Sequence, residues 1–366
     1  MQQNTWFAAI ACVMFLGLCV SCQAQIVVTP AEREPVLKIG GLLQVQADFG
    51  DQGDGRFTTG DDRFYLRRAR LNATGSFLED FEFKLEMDLS ASLSNNSTSV
   101  STSNLRAQLT DGYVNWNKYA SANIRGGQFK SPFGYEQLYP DPRVLTIERS
   151  LVNDRLTIGR QIGVMLNGEA FEKRLSYATS IFNGNNVNVS FNDNDKFLYA
   201  ERAAGVLYDG KLFGQSAKWT LGGNAFFSED KNLTGQSSDF QFNGNTFTGK
   251  RRGVGIDSQL HLGKLDVWTE YLADRFQPED HVPREEFTPN GWYLMAGYFF
   301  YPRAQGVVRY ETFDPVLIAS TDTWTFGFNY LIKGDDLKIQ INYLRTDAGG
   351  LPDTQNKILC RFQLMF

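Results

Sequence analysis

Apolar and polar residues alternate one by one through short segments of this chain, most clearly in its last eleven residues. The apolar side of that segment holds Ile358, Cys360, Phe362, Leu364 and Phe366, and the polar side holds Lys357, Arg361 and Gln363. A period of two residues predicts a β-strand whose two faces meet different environments. Residues 81–89 alternate in the same way. The chain is therefore expected to fold into amphipathic strands.

Sixteen segments of this kind are predicted, and the connections between them alternate in length. The predicted strands are residues 36–48, 63–77, 81–90, 105–117, 121–130, 160–169, 174–183, 199–209, 216–227, 250–262, 264–275, 291–301, 303–313, 323–332, 336–347 and 356–366. Every second connection is a short turn, and the others are long and polar. In an up-and-down antiparallel sheet, every second connection lies at the same end. One end of the sheet is thus expected to carry the short turns, and the other end the long loops.

These features predict an all-β fold, a 16-stranded antiparallel transmembrane β-barrel with short periplasmic turns and long extracellular loops. Because an unpaired backbone group in hydrocarbon costs several kcal/mol, the first and last strands must pair. Aromatic residues near strand ends are expected to form the interfacial girdles, namely Trp116, Trp292, Tyr293, Tyr298, Phe299, Tyr301 and Trp324. A secreted β-sandwich is the alternative, but it does not predict the alternation of loop length.

The first 24 residues are interpreted as a cleaved signal peptide. Residues 7–20 are apolar, and Cys22-Gln23-Ala24 suits a signal peptidase. Lipidation of Cys22 and a buried core helix are the alternatives. Removal of the segment leaves Cys360 as the single cysteine, so no internal disulfide is expected. Residues 25–35 are then a short periplasmic segment and residues 36–366 the barrel, with no later apolar run of about 18 residues to form a spanning helix.

Several stretches carry a family resemblance, which runs from the second strand nearly to the end. They are Arg67-Arg68-Ala69-Arg70-Leu71, Leu109-Thr110-Asp111-Gly112-Tyr113-Val114, Gly127-Gln128-Phe129-Lys130-Ser131-Pro132-Phe133-Gly134-Tyr135-Glu136, Glu148-Arg149-Ser150-Leu151 and residues 160–168. In these stretches the chain resembles the phosphate-selective porin O and P family of Gram-negative outer membranes. The resemblance implies a water-filled, homotrimeric channel in outer-membrane lipid for small hydrophilic solutes or anions such as phosphate. The formal net charge of -5 argues against nucleic acid as a partner.

A barrel of this size leaves an aqueous lumen, in which a constriction and fixed charges select solutes. The longest loop, residues 131–159, is the candidate constriction. Arg binds phosphate or carboxylate through a planar pair of N–H groups, which suits an anion pathway. The candidate residues of such a pathway are Arg68, Arg70, Lys130, Arg143, Arg149, Arg155 and Arg160. Mutual pairing of the loop charges is an equally open interpretation.

Strand parity orients some of these side chains. Arg68 and Arg70 share one parity and are expected in the lumen, because an Arg on the lipid face at mid-membrane would cost about 2 to 4 kcal/mol. Arg67 has the other parity and is expected to point outward near the outer end of its strand. Arg125 and Lys130 differ in parity, so both face inward only if a bulge intervenes near Gly126-Gly127.

An enzyme is not expected, nor is a cofactor or a metal site. The chain has two histidines, His261 and His281, and lacks the G-x-S-x-G, H-E-x-x-H, P-loop and dinucleotide motifs. An outer-membrane lipid hydrolase, which would need a nucleophile and a general base, is the less favoured alternative. A surface-binding protein anchored by its barrel is the other.

Overall fold

A computed structural model of the chain shows one closed β-barrel. It describes residues 27–28, 36–51, 53, 57, 62–90, 107–184, 186–189, 191–234, 240, 246–279, 285–349 and 354–366. The predicted signal peptide and His281 lie outside the described residues. The elements are β1 (Val27–Val28), β2 (Val36–Gly50), β3 (Arg63–Phe77), β4 (Phe81–Asp88), β5 (Gln108–Tyr119), β6 (Ala122–Lys130), α1 (Tyr135–Leu138), a 3-10 turn (Asp141–Arg143), α2 (Leu151–Leu156), β7 (Arg160–Ala170), β8 (Leu175–Phe182), β9 (Leu198–Leu212), β10 (Gln215–Thr234), β11 (Thr246–Leu262), β12 (Leu265–Pro278), β13 (Asn290–Tyr301), β14 (Ala304–Asp314), β15 (Thr321–Asp335), β16 (Leu337–Ala348) and β17 (Gln355–Met365).

The sixteen strands β2 to β17 form the barrel, and each pairs antiparallel with the next along the chain. Closure is made by β17 on β2, with a register that runs from Lys357 opposite Gly50 to Met365 opposite Leu42. The short strand β1 adds two residues beside the start of β2. The prediction of a closed 16-stranded antiparallel barrel is confirmed, and with it the pairing of the first and last barrel strands.

The connections alternate in length around the barrel as the sequence predicts. At the end that holds both termini of the barrel, the turns are residues 78–80, 120–121, 171–174, 213–214, 263–264, 302–303 and 336. At the other end the connections are residues 51–62, 89–107, 131–159, 183–197, 235–245, 279–289, 315–320 and 349–354. Among the residues that the structure describes, no helix is both long and apolar enough to cross a membrane.

The barrel buries polar side chains and exposes apolar ones, which is the reverse of a soluble β-sandwich. On β17, Arg361 is 3% exposed and Gln363 is fully buried, whereas Ile358 and Phe362 are about two-fifths exposed. The outer apolar face suits lipid, and the inner polar face suits water and hydrogen-bonded partners. The apolar outer face and the polar inner face therefore identify a membrane barrel and exclude the soluble β-sandwich.

The aromatic residues near strand ends divide between the two faces. Trp292, Tyr298, Tyr301 and Trp324 are exposed on the outside, as interfacial girdles require. The girdle prediction is wrong for Tyr293, which is fully buried inside the barrel and donates its hydroxyl to Glu270, 3.2 Å away. Its parity places it on the opposite face from its neighbour Trp292, so proximity to a strand end was not enough to orient it.

Candidate channel site

The 131–159 loop leaves the end of β6 and runs inside the barrel. Pro140 precedes the 3-10 turn and Pro142 lies within it, which suits the fixed φ of proline. The hydroxyl of Ser150 accepts the backbone N–H of Asn153 at 3.1 Å and so caps α2. These local features give the loop a defined path.

One side of the loop is held against β12 and β14. Glu270 accepts the backbone N–H of Tyr135 at 2.5 Å, and Glu311 accepts that of Leu151 at 2.5 Å. Val152 and Leu156 on α2 belong to a buried apolar cluster with side chains of the wall. This wall thus holds the loop through both polar and apolar contacts. The loop covers Glu270 and Glu311, which are each 1% exposed.

The other side of the loop is held by strands close to the barrel closure. Asn342 accepts the backbone N–H of Ile147 at 2.7 Å, and Gln363 donates to the carbonyl of Pro142 at 3.0 Å. Glu148 lies between Arg361, at 2.6 Å, and Arg67, at 2.8 Å. Burial alone would raise the pKa of Glu148, but the two guanidinium groups outweigh it and hold that pKa well below its usual range.

A first group of cations surrounds Asp141 on the loop. Arg70 lies 2.5 Å and Arg68 3.6 Å from its carboxylate, Lys130 lies 3.9 Å away, and Arg149 also pairs with it. Burial alone would raise the pKa of Asp141, but Arg68 and Arg149 lead the opposing effects, and this pKa lies well below its ordinary value. The loop and the β3 wall are therefore joined through one ionised carboxylate.

A second group lies beside it on β4, β5 and β7. Asp111 accepts from Lys84 and from Arg160, each at 2.7 Å. Glu86 lies 3.0 Å from Lys84 and 3.6 Å from Arg70, which connects the two groups. Arg70 also pairs with Asp88 at 2.9 Å.

Cations outnumber carboxylates in this network. The ion pairs among the described residues join the cations Arg68, Arg70, Lys84, Lys130, Arg149 and Arg160 with the carboxylates Glu86, Asp88, Asp111 and Asp141. We call this set the cationic network. It contains five of the seven residues proposed from the sequence. Arg143 lies on the 3-10 turn and is exposed, and Arg155 pairs with Asp154 at 2.9 Å, so neither belongs to the network.

The expectation that Arg67 points outward is wrong. In the pairing of β2 with β3, Gln44 lies opposite Arg68 and Val45 lies opposite Leu66, so Arg67 is an extra residue of β3 with no partner on β2. A β-bulge turns successive side chains away from strict alternation. Arg67 consequently reaches Glu148 inside the barrel, with hydrogen bonds of 2.8 and 3.0 Å.

An open cavity of about 320 Å³ lies on the side of the lumen lined by β5 to β9. Arg125 and Lys130 both line it, together with Arg202 and Asp111. The register of β6 with β7 is continuous across Gly126-Gly127, so no bulge intervenes there. Lys130 instead follows the chain into the loop, where its amine donates to the carbonyl of Gln137 at 2.6 Å.

Besides Arg67 and Arg361, the lumen holds Arg125, Arg202 and Arg309, which were also not among the candidates from the sequence. Arg125 shares its parity with Phe129, and that shared parity was the available signal for its inward position. Arg202 forms a two-bond pair with Asp257 at 2.5 and 2.8 Å. Arg309 is 1% exposed and pairs with Glu311 at 3.0 Å. Asp257 lies on a different strand from Arg202, and Arg309 also donates to Thr146 of the loop at 2.8 Å, contacts that no local pattern identifies.

A closed sixteen-stranded barrel with an apolar outside, a charged lumen and a long loop inside it defines the class of outer-membrane porins. Such a barrel admits small solutes through its water-filled lumen.

A family model described as phosphate-selective porin O and P matches residues 39–366, and the chain belongs to that family. An uncharacterized protein of Aquifex aeolicus (strain VF5) is 24% identical over 389 residues, covering 96% of this chain and 92% of its own. The anion-selective porin from Comamonas acidovorans superposes with a TM-score of 0.62 at 12% identity, covering 91% of this chain and 100% of that one. OmpF of Salmonella typhi, in a complex with daunomycin, gives 0.64 at 13% identity, covering 91% and 98%. The chain is thus a porin of the Gram-negative outer membrane, and it forms a channel for small solutes.

Proposed function

We propose that this porin prefers anions, phosphate among them, and that the 131–159 loop is its constriction. The observation that carries the proposal is the excess of cations over carboxylates in the cationic network, at the edge of the open cavity. The description of the family as phosphate-selective and the anion-selective porin among the similar structures support the same reading.

The position of the loop supports anion preference in a second way. Acidic residues of the far wall, Glu270 and Glu311, are covered by the loop and bonded to its backbone. A solute in the cavity faces the opposite wall, where the carboxylates of Asp111 and Glu86 are already paired with Lys84. The field in the open path is therefore set by the surplus cations.

The roles proposed for the candidate residues differ with their surroundings. Arg70 and Arg160 lie at the centre of the network and are proposed to set its field, while Arg68 and Arg149 mainly neutralise Asp141 and hold the loop. Lys130 lies both in the network and on the cavity wall, so it is proposed to contact the passing ion. Arg143 and Arg155 are proposed to act only through the long-range field.

Reversal potentials across planar bilayers test the proposal, in gradients of potassium chloride and of potassium phosphate. A single charge about 8 Å from an ion in water changes its energy by about 0.5 kcal/mol, with opposite signs for an anion and a cation. Arg70→Ala is therefore expected to lower the anion-to-cation permeability ratio about fivefold. Arg68→Ala is expected to change it less, because Arg68 is buried against Gln44. Arg174→Ala, on an exposed turn at the other end of the barrel, is the control.

Three results would count against this proposal. Cation preference in the wild-type channel would refute the anion preference itself. Unchanged selectivity in both Arg68→Ala and Arg70→Ala would remove those residues from the pathway. Absence of any conductance from a folded barrel would favour the surface-binding alternative, with the loop acting as a plug.

We also propose that the chain is exported with cleavage after Ala24, works as a homotrimer in outer-membrane lipid, and has no hydrolase activity. Family membership supports the trimer, which chemical crosslinking in detergent tests. The lack of a histidine–serine arrangement among the described residues supports the last point, since His261 pairs with Asp266 at 2.9 Å beside a turn and no serine hydroxyl bonds to it there. Mass spectrometry of the mature amino terminus tests the cleavage site.

A further inference from the structure

The cavity beside β5 to β9 is lined by apolar, polar and charged side chains. Its lining includes Tyr113, Phe129, Met165, Leu138 and Pro132 beside the charged residues. A volume of about 320 Å³ lies at the lower end of pockets that hold small-molecule ligands. A strongly hydrated ion would find little to replace its water along these apolar side chains.

The guanidinium of Arg125 lies over the ring of Tyr113 and near that of Phe129. Its guanidinium carbon is 4.3 Å from the ring centroid of Tyr113 and 5.5 Å from that of Phe129. The Nε atom of Arg125 is buried and has no hydrogen-bond partner among the described residues. This cation–π contact holds the guanidinium beside the cavity, and a guanidinium can bind a planar acceptor through two parallel N–H groups.

The other charges of the cavity wall have partners. Arg202 is neutralised by Asp257, and Asp111 by Lys84 and Arg160. Lys130 donates to a loop carbonyl and lies 3.9 Å from Asp141. Among the described residues, Arg125 forms no ion pair with a carboxylate. An anion in the cavity thus meets one uncompensated, planar cation.

We propose that this cavity is a binding site for small aromatic monocarboxylates, with the carboxylate on Arg125 and the ring against Phe129, Met165 and Leu138. A carboxylate matches the guanidinium edge in charge and in planar geometry. An aromatic ring gains from leaving water, whereas phosphate would lose hydration without comparable contacts. The inference rests on the proposed function, because it names a solute class for the same open path.

Benzoate is the probe, and its block of the chloride current through the full-length channel is the measurement. Benzoate is expected to block at concentrations at least tenfold lower than acetate, which has the same charge without the ring, or inorganic phosphate. Arg125→Gln is expected to weaken benzoate block at least tenfold, and Tyr113→Leu severalfold through loss of the stacking. The control Arg174→Gln removes an exposed arginine outside the cavity and is expected to leave the block unchanged.

Equal block by benzoate and acetate in the wild-type channel would overturn the inference, and this comparison requires no variant to fold. Unchanged benzoate block in a folded Arg125→Gln channel would overturn it as well. Calorimetric titration of benzoate into detergent-solubilised protein gives the same comparison if the barrel conducts no current. An anion-selective channel without preference for benzoate refutes this inference alone, whereas cation selectivity refutes the proposed function.

Discussion

Glu148 is the residue whose removal tests the anchoring of the loop most directly. Its carboxylate accepts from Arg67 at 2.8 and 3.0 Å and from Arg361 at 2.6 Å. Glu148→Gln keeps the size of the side chain but removes the charge that both arginines need. We expect the loop, rather than the barrel ladder, to lose stability, because the backbone pairs of the sheet do not involve Glu148.

The size of the effect follows from the exposure of the two partners. Breaking a buried ion pair by removing one partner costs about 3 to 5 kcal/mol. Arg361 is 2% exposed at its side chain but Arg67 is 36% exposed, so solvent screens part of the interaction. We therefore expect about 3 kcal/mol, and since about 1.4 kcal/mol is a factor of ten, the displaced loop should become roughly a hundredfold more populated.

Hydrogen exchange at the backbone amide of Ile147 measures this population. That amide donates to Asn342 at 2.7 Å, so it is protected while the loop is in place. Exchange in Glu148→Gln is expected to accelerate about a hundredfold at constant pH. Asp154→Asn is the matched control on the same loop, because it removes one charge from a side chain that is 44% exposed. Equal exchange in the two variants would refute the anchoring role of Glu148.

Three further predictions concern the barrel and the pH dependence of the loop. Gly127→Ala is expected to lower the free energy of unfolding by about 2 kcal/mol, because Gly127 has φ +129° and a Cβ would lie 2.2 Å from a backbone oxygen. Urea unfolding measures the difference, and the control is Gly126→Ala, since the Cβ of that residue would meet open space. Leu85→Arg on the lipid face is expected to cost about 2 to 4 kcal/mol of folding free energy in bilayers, against about 0 to 1 kcal/mol for Leu78→Arg at a turn; equal costs would contradict the lipid-facing assignment. Folding lowers the pKa of Glu148, so ionised Glu148 stabilises the loop fully at any pH above its pKa in the unfolded chain, about 4.3. This stabilisation is lost only as the pH falls through the lower pKa of Glu148 in the folded protein. Exchange at the loop, corrected for intrinsic rates, should then stay constant from pH 7 to 5, and a rise in that interval would contradict the depressed pKa.

The barrel could be predicted from the sequence because its two faces meet two solvents. Lipid outside and water inside impose alternation on every strand, and the pattern survives in single segments such as β17. The same logic predicts Arg68 and Arg70 inside the barrel, where both pair with Asp141. Strand ends were less well predicted, since β10 extends to Thr234, beyond the predicted end at residue 227, in a region where lipid no longer enforces the alternation.

The period-two pattern does not predict the face of Arg67 or the surroundings of Arg125. Arg67 is itself the extra residue of a bulge in β3, which reverses its face, and nothing in the local sequence marks the register shift at Gln44. Arg125 was inside by simple parity, but its importance depends on what lies around it, namely the rings of Tyr113 and Phe129 and the absence of a paired carboxylate among the described residues. Those neighbours come from different strands, so only the folded barrel brings them together.

The formal charge of -5 is a poor guide to what passes through this porin, because the position of each charge decides its effect. Carboxylates of the far wall are covered by the loop, and Glu270 and Glu311 are bonded to the loop backbone. The carboxylates that remain beside the open cavity, such as Asp111, are each held by cations. In the proposed path, a loop that covers one wall exposes a passing solute mainly to the other wall. An acidic protein can in this way present a cationic path, and displacement of the loop should therefore weaken anion preference as well as widen the channel.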